Sequence, residues 1–82
     1  MYILNCNAGF PCGVFESKEK AEEAIKKYKL TGTLTKYPVN ILVYDWAIEN
    51  KHLYKNEDKH TKEYIGAYTT AYQEHYHYEN GE

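Results

Sequence analysis

Gly13-Val14-Phe15-Glu16 running into Ser17-Lys18-Glu19-Lys20-Ala21-Glu22-Glu23-Ala24-Ile25-Lys26-Lys27-Tyr28-Lys29 is the stretch that decides the fold. The first four residues read as a strand and the rest as an amphipathic helix. Ser17 suits the N-cap, where its hydroxyl takes a backbone N–H that the first turn leaves unpaired. Ala21, Ala24, Ile25 and Tyr28 fall at i, i+3, i+4 and i+7, which makes one apolar stripe. Glu19, Glu22 and Glu23 come early and Lys26, Lys27 and Lys29 late, the order the helix dipole favours. Glu22–Lys26 and Glu23–Lys27 are i,i+4 pairs in the better orientation. Gly32 stands where a C-terminal cap is expected.

Working outward, residues 2–6 read as strand one. The turn formers at 7–13 read as a hairpin loop, and residues 13–16 return as strand two. Beyond the helix, residues 33–38 read as a connection, with Leu34 as a plug for the core. Residues 39–44, Val-Asn-Ile-Leu-Val-Tyr, form the most apolar run and read as a central strand three. Asp45 is placed to cap a short helical turn over 46–50. Residues 51–60 are polar and aperiodic, an exposed loop and the expected mobile part. Thr61 caps a helix over about 61–68, against the opposing signals of Gly66 and Thr69-Thr70. From Tyr72 the alternation is strand-like, with Tyr72, Tyr76 and Tyr78 on one face and His75 and His77 on the other. The expectation is a single α+β domain over residues 1–82. It has a small antiparallel sheet of three to four strands, in chain order ββα-β-α-α-β, with one amphipathic helix packed on one face.

Composition bounds the function. At 82 residues and a net charge of −2 there is no basic excess to draw nucleic acid. All ten basic residues are Lys, so the preferred side chain for forked phosphate recognition is missing. A domain this small buries only about 60% of its unfolded surface, so its stability is expected to be modest. The ten tyrosines supply broad contact area with polar tips. Lys, Asn, Tyr and Ile share AT-rich codons, so the same excess is also what a low-GC bacterium, phage or plasmid would produce. The chain shows neither a signal peptide nor a membrane-length apolar run, which points to the cytoplasm. Cys6 and Cys12 are then reduced thiols, one small buried residue and one loop residue; their spacing fits no zinc knuckle and no thioredoxin motif.

Several segments together carry a resemblance. They are residues 13–22, Thr31-Gly32-Thr33-Leu34-Thr35-Lys36-Tyr37-Pro38-Val39, Val43-Tyr44-Asp45-Trp46-Ala47-Ile48-Glu49-Asn50, and the closing Gln73-Glu74-His75-Tyr76-His77-Tyr78-Glu79-Asn80-Gly81. With them the chain resembles a family of small bacterial and phage proteins of unknown function. The resemblance implies an uncharacterised intracellular domain and carries over no mechanism.

The candidate chemistry is that of recognition. Tyr72, Tyr76 and Tyr78, joined by Tyr64 and Tyr68, suit an aromatic platform for a docking protein or a stacked base; rings that cover the core with wet edges are the reading for Tyr28, Tyr44 and Tyr68, and surface contact the reading for Tyr76 and Tyr78. Phe10, at a Gly-Phe-Pro turn, suits an anchor for a partner's pocket, and a ring folded back on its own loop is the alternative. His75 and His77 would point the same way from a strand. Two imidazoles do not make a zinc site without a third ligand, for which Glu74, Glu79, His52 and His60 are the sources. No metal and no cofactor are expected. No catalytic residue is assigned either, because no base, shifted group and substrate cradle converge in the sequence. The functional expectation is a non-enzymatic intracellular protein that binds another protein as inhibitor, immunity factor or adaptor, with a homodimer as a compatible state. Sequestration of a nucleotide or other small ligand between Tyr faces and Lys is the alternative, and a His-dependent hydrolase or metal-binding protein the lesser one.

Overall fold

The computed structural model describes residues 1–7 and 9–82. It contains strands β1 (Tyr2–Asn5) and β2 (Pro11–Phe15), helix α1 (Lys18–Tyr28), strand β3 (Gly32–Lys36), helices α2 (Val43–Glu49) and α3 (Lys62–Ala67), and strand β4 (His75–Tyr78). The α+β class and the chain order ββα-β-α-α-β agree with the sequence reading. The chain divides into two compact units, Met1–Tyr37 with Gln73–Glu82, and Pro38–Tyr72. The hairpin loop expected over 7–13 falls in part on Ala8, which lies outside the described residues. The far end of that stretch is already strand.

The first unit is a four-stranded sheet in the order β2-β1-β3-β4, antiparallel at every pairing. Leu4 stands opposite Leu34, and Leu34 opposite Tyr76. Directly paired residues share a face, and alternate residues along a strand return to it. One face therefore carries Tyr2, Leu4, Phe15, Leu34, Tyr76 and Tyr78. On it Leu4 and Leu34 are buried with Ala21 and Ile25 of α1, while Tyr2, Cys6, Phe15, Leu30 and Tyr78 pack around them. Each fully buried Leu or Ile contributes about 1.5–3 kcal/mol.

Helix α1 begins as expected, with Ser17 Oγ accepting the Lys20 N–H at 3.2 Å. Its end differs from the reading. Lys29, not Gly32, adopts the left-handed cap conformation (φ 52°, ψ 49°), and the Leu30 N–H donates back to the Ile25 carbonyl at 3.0 Å. This reversal brings Leu30 against the core, in the place the stripe assigned to Tyr28, which is exposed. Gly32 serves β3 instead. A Cβ there would run into the Asn5 carbonyl oxygen and lie 3.0 Å from Cys6 Cα. The expected Glu22–Lys26 and Glu23–Lys27 ion pairs do not form. The one salt bridge among the described residues joins exposed Lys55 and Glu57 at 3.8 Å, a type that contributes little.

The largest correction concerns strand three. It is Gly32–Lys36, with Leu34 inward and Thr33 and Thr35 outward, so the supposed plug is the strand's central residue. Residues 39–44 form no strand. Asn40 is left-handed (φ 64°), Val39 is 59% exposed, and Val43 and Tyr44 open α2. A short apolar run does not distinguish strand from helix by periodicity. Asp45 lies inside the first turn of α2, where it meets the dipole favourably, and the N-cap is Leu42, whose side chain makes no capping bond.

The second unit is built on aromatic edges. Tyr44 is buried and meets the rings of His60, Tyr64 and Tyr68 at 5.4, 6.4 and 6.0 Å, all near perpendicular. That is the favoured edge-to-face arrangement. Its hydroxyl lies 2.8 Å from His60 Nδ1. The Asn56 backbone N–H also reaches that nitrogen at 3.2 Å. A backbone N–H only donates, so Nδ1 is an acceptor and the Tyr44 hydroxyl donates to it. Asn56 Oδ1 in turn accepts from the Asp58 and Lys59 N–H groups, so the segment read as a free loop is closed by an Asn-centred turn. Helix α3 has its expected cap, Thr61 Oγ1 accepting from Tyr64 N–H at 3.2 Å.

These assignments predict a contrast. Leu34→Ala should cost about 2–5 kcal/mol in urea unfolding, whereas Val39→Ala should stay within about 0.5 kcal/mol. The reverse order would restore the apolar run as the central strand. Deletion from His75 onward removes β4 and should abolish the cooperative melt seen by circular dichroism.

Candidate binding surface

The register of β4 sorts the predicted site residues. Tyr76 and Tyr78 turn toward the α1 side and are half-buried, while His75 and His77 are exposed on the opposite side. Tyr72 lies outside β4. It is 67% exposed and stacks flat on His52, ring centroids 4.2 Å apart at 6°, within the second unit. The expected single face of Tyr72, Tyr76 and Tyr78 is thus not assembled on β4, because the strand begins at His75 and not near Tyr72.

Both strand tyrosines have structural partners. The Tyr78 hydroxyl donates to Glu22 Oε2 at 2.9 Å, and Lys18 Nζ sits 3.9 Å from the Tyr76 ring centroid, a cation–π contact. Burial, and then the Glu22 carboxylate that its hydroxyl donates to, push the Tyr78 phenol up to about 12. The Glu74 carboxylate, followed by burial, does the same for Tyr76.

The face away from α1 holds the other chemistry. Its register gives two rows across the sheet, Val14-Ile3-Thr35-His75 and Pro11-Asn5-Thr33-His77. The His75 and His77 rings lie edge to face at 5.2 Å. His75 Nδ1–H donates to the Gln73 carbonyl at 2.8 Å. His77 Nδ1 lies 3.4 Å from Thr33 Oγ1. Among the described residues no three His, Cys, Asp or Glu side chains gather closely enough to hold a metal ion. His60, a proposed third ligand, uses its Nδ1 within the second unit.

Val14, at the β2 end of this face, is 60% exposed, and Phe10, the residue before β2, is 77% exposed. Pairing shifts between Leu4↔Gly13 and Asn5↔Pro11, so Cys12 is an extra residue in a bulge. It lies in β2 rather than in a loop. The register exposed Val14, which the sequence reading passed over. Its signal was the alternation of Val14 with Phe15: in a strand covered on one side, one of two adjacent apolar residues must face outward.

A cavity of about 400 Å³ in the second unit is lined by Ile41, Tyr44, Asp45, Ile48, Glu49 and Lys55. Two carboxylates against one ammonium disfavour a phosphate group there.

A four-stranded antiparallel sheet with α1 packed on one face, followed by two short helices, defines a small α+β protein. The chain belongs to the family described as Domain of unknown function (DUF7710), whose model matches residues 2–82. No curated protein and no solved structure matches it. Among the described residues, no helix is long and apolar enough to cross a membrane.

The raised tyrosines set an alkaline dependence. In the folded state Tyr78 keeps its proton up to about pH 12, against 10 in the unfolded chain. Between those values the unfolded state binds fewer protons, so stability falls as pH rises and this contribution is fully present below pH 10. Tyr78→Phe should flatten that fall in urea unfolding. Glu22→Gln should move the Tyr78 phenolate transition, followed by ultraviolet difference absorbance, toward pH 10.

Proposed function

We propose that this chain is a small non-catalytic binding protein whose target is another protein, engaged at the β2 end of the sheet. The observation that carries the reading is the exposure of Phe10 and Val14, 77% and 60%, beside the β2 edge. Val14 is held outward on β2 and Phe10 stands immediately before it, and large exposed apolar side chains are effective anchors. Pro11 and the Cys12 bulge interrupt the ladder along this edge, so recognition runs through side chains rather than an added strand. His75 and His77, at the far end of the same face, supply polar rim contacts.

In this reading the protein acts in the cytoplasm of a bacterium or its phage, as an inhibitor, immunity factor or adaptor. The Lys-only basic set, with its AT-rich codon character, supports that setting. The reading assigns no catalytic residue. A second copy is the simplest alternative partner, with β4 as the uninterrupted edge.

Affinity capture from the host, followed by titration of the captured protein, tests the reading. Phe10→Ala should weaken binding by about 2 kcal/mol or more, as expected of an anchor, with the melting midpoint unchanged. Undiminished affinity in Phe10→Ala and Val14→Ser variants would move the site elsewhere. Light scattering identifies self-association. A nucleotide panel should leave the melting midpoint in place; a ligand at 100 Kd would add about 2.7 kcal/mol, and such a shift would replace this reading with ligand sequestration.

A further inference from the structure

The two cysteines are brought together by the fold. Cys6 leaves β1 half-buried, Cys12 is exposed in the β2 bulge, and their Sγ atoms meet at 3.7 Å. Sulfur atoms in van der Waals contact close to a bond of about 2.05 Å by side-chain torsion, with little backbone movement. Two features of the sheet produce the contact. The bulge adds Cys12 opposite the end of β1. Gly32 leaves room for the other thiol, since a Cβ there would lie 3.0 Å from both Cys6 Cα and Cys6 Sγ.

We propose that Cys6 and Cys12 form a redox-active dithiol that closes to an intramolecular disulfide by exchange with a low-molecular-weight disulfide, an inference that does not rest on the proposed binding function. Exposed Cys12 is the attacking thiol. Its thiolate displaces one thiolate from the small disulfide and forms a mixed disulfide. Cys6 then loses its proton to solvent and attacks Cys12 Sγ, and the second small thiolate leaves. The balance is one dithiol and one disulfide in, one protein disulfide and two small thiols out, with two electrons passing from the protein to the small disulfide. Access fixes the order of attack. Partial burial, with the Cys12 contact adding to it, raises the Cys6 thiol above its ordinary value of 9.0, which suits the resolving role and not the attacking one.

The test treats the full native chain with glutathione disulfide and reads the products by intact mass and non-reducing peptide mapping. Wild type should lose two hydrogens, carry no glutathione, and link Cys6 to Cys12. Cys6→Ser should hold one stable glutathione on Cys12, for want of a resolving thiol. Cys12→Ser should react on the order of tenfold more slowly, because only the less accessible thiol remains. The same exchange in urea supplies the control for sequence proximity. A fold that presents the pair should favour closure by about tenfold or more over the unfolded chain, and the oxidised protein should then melt higher than the reduced one. Retained glutathione on wild type, intermolecular dimers, equal closure in urea, or a lower melting midpoint after oxidation would each overturn the proposal.

Discussion

Everything in the first unit depends on the pairing of Leu4 with Leu34 across the two central strands, with Ala21 and Ile25 of α1 laid over them. Four buried apolar side chains are a small core, and α1 is the one helix of this unit. That helix covers one side of the sheet. The asymmetry then dictates where each neighbouring residue goes. Tyr78 packs beside the core and gives its hydroxyl to Glu22. His77, one residue earlier, must point the other way. The closing residues fasten the same arrangement. Asn80 N–H donates to Thr31 Oγ1 and Gly81 N–H to the Leu30 carbonyl, so the chain end is tied to the turn that carries α1 into β3.

The second unit solves a different problem, because it has two short helices and no strand. Its buried centre is Tyr44, a polar aromatic that needs a partner for its hydroxyl once water is gone. His60 Nδ1 supplies it, and the Asn56 turn holds that imidazole in place. An aromatic centre of this kind draws stability from ring edges and from one fully matched acceptor. It is correspondingly more sensitive to a change of hydrogen bonding than the leucine pair of the first unit.

Where local chemistry and tertiary packing agree, the sequence was sufficient. Ser17 and Thr61 cap their helices through the side-chain bonds their identities suggest, and the alternation of His75 to Tyr78 produces a strand with the expected faces. Two segments compete for one place in the sheet. Residues 39–44 are more apolar than Gly32–Lys36. Yet Thr33 and Thr35 alternate with Leu34 in the period of a half-covered strand, and Gly32 permits the close approach to β1 that this place requires. Hydrophobicity outvoted periodicity in the reading, whereas the one-sided sheet selects for periodicity. The Cys6–Cys12 contact was illegible for another reason. It depends on a bulge, and a bulge is a mismatch in pairing that neither strand displays alone.

The abundance of tyrosine therefore carries less functional weight than its count suggests. Tyr44 is buried with Tyr68 and the exposed Tyr64 against its ring, Tyr2 and Tyr78 line the other interior, and Tyr76 lies under Lys18. A residue type spent mainly on packing does not by itself mark a recognition platform, whatever its frequency. Phe10 and Val14 are side chains that packing leaves unused. A one-sided sheet of this size has enough apolar material to cover one face, and burying Phe10 and Val14 would add to a stability that is modest at this length. Their exposure forgoes that gain, as does that of Tyr54 and Tyr72.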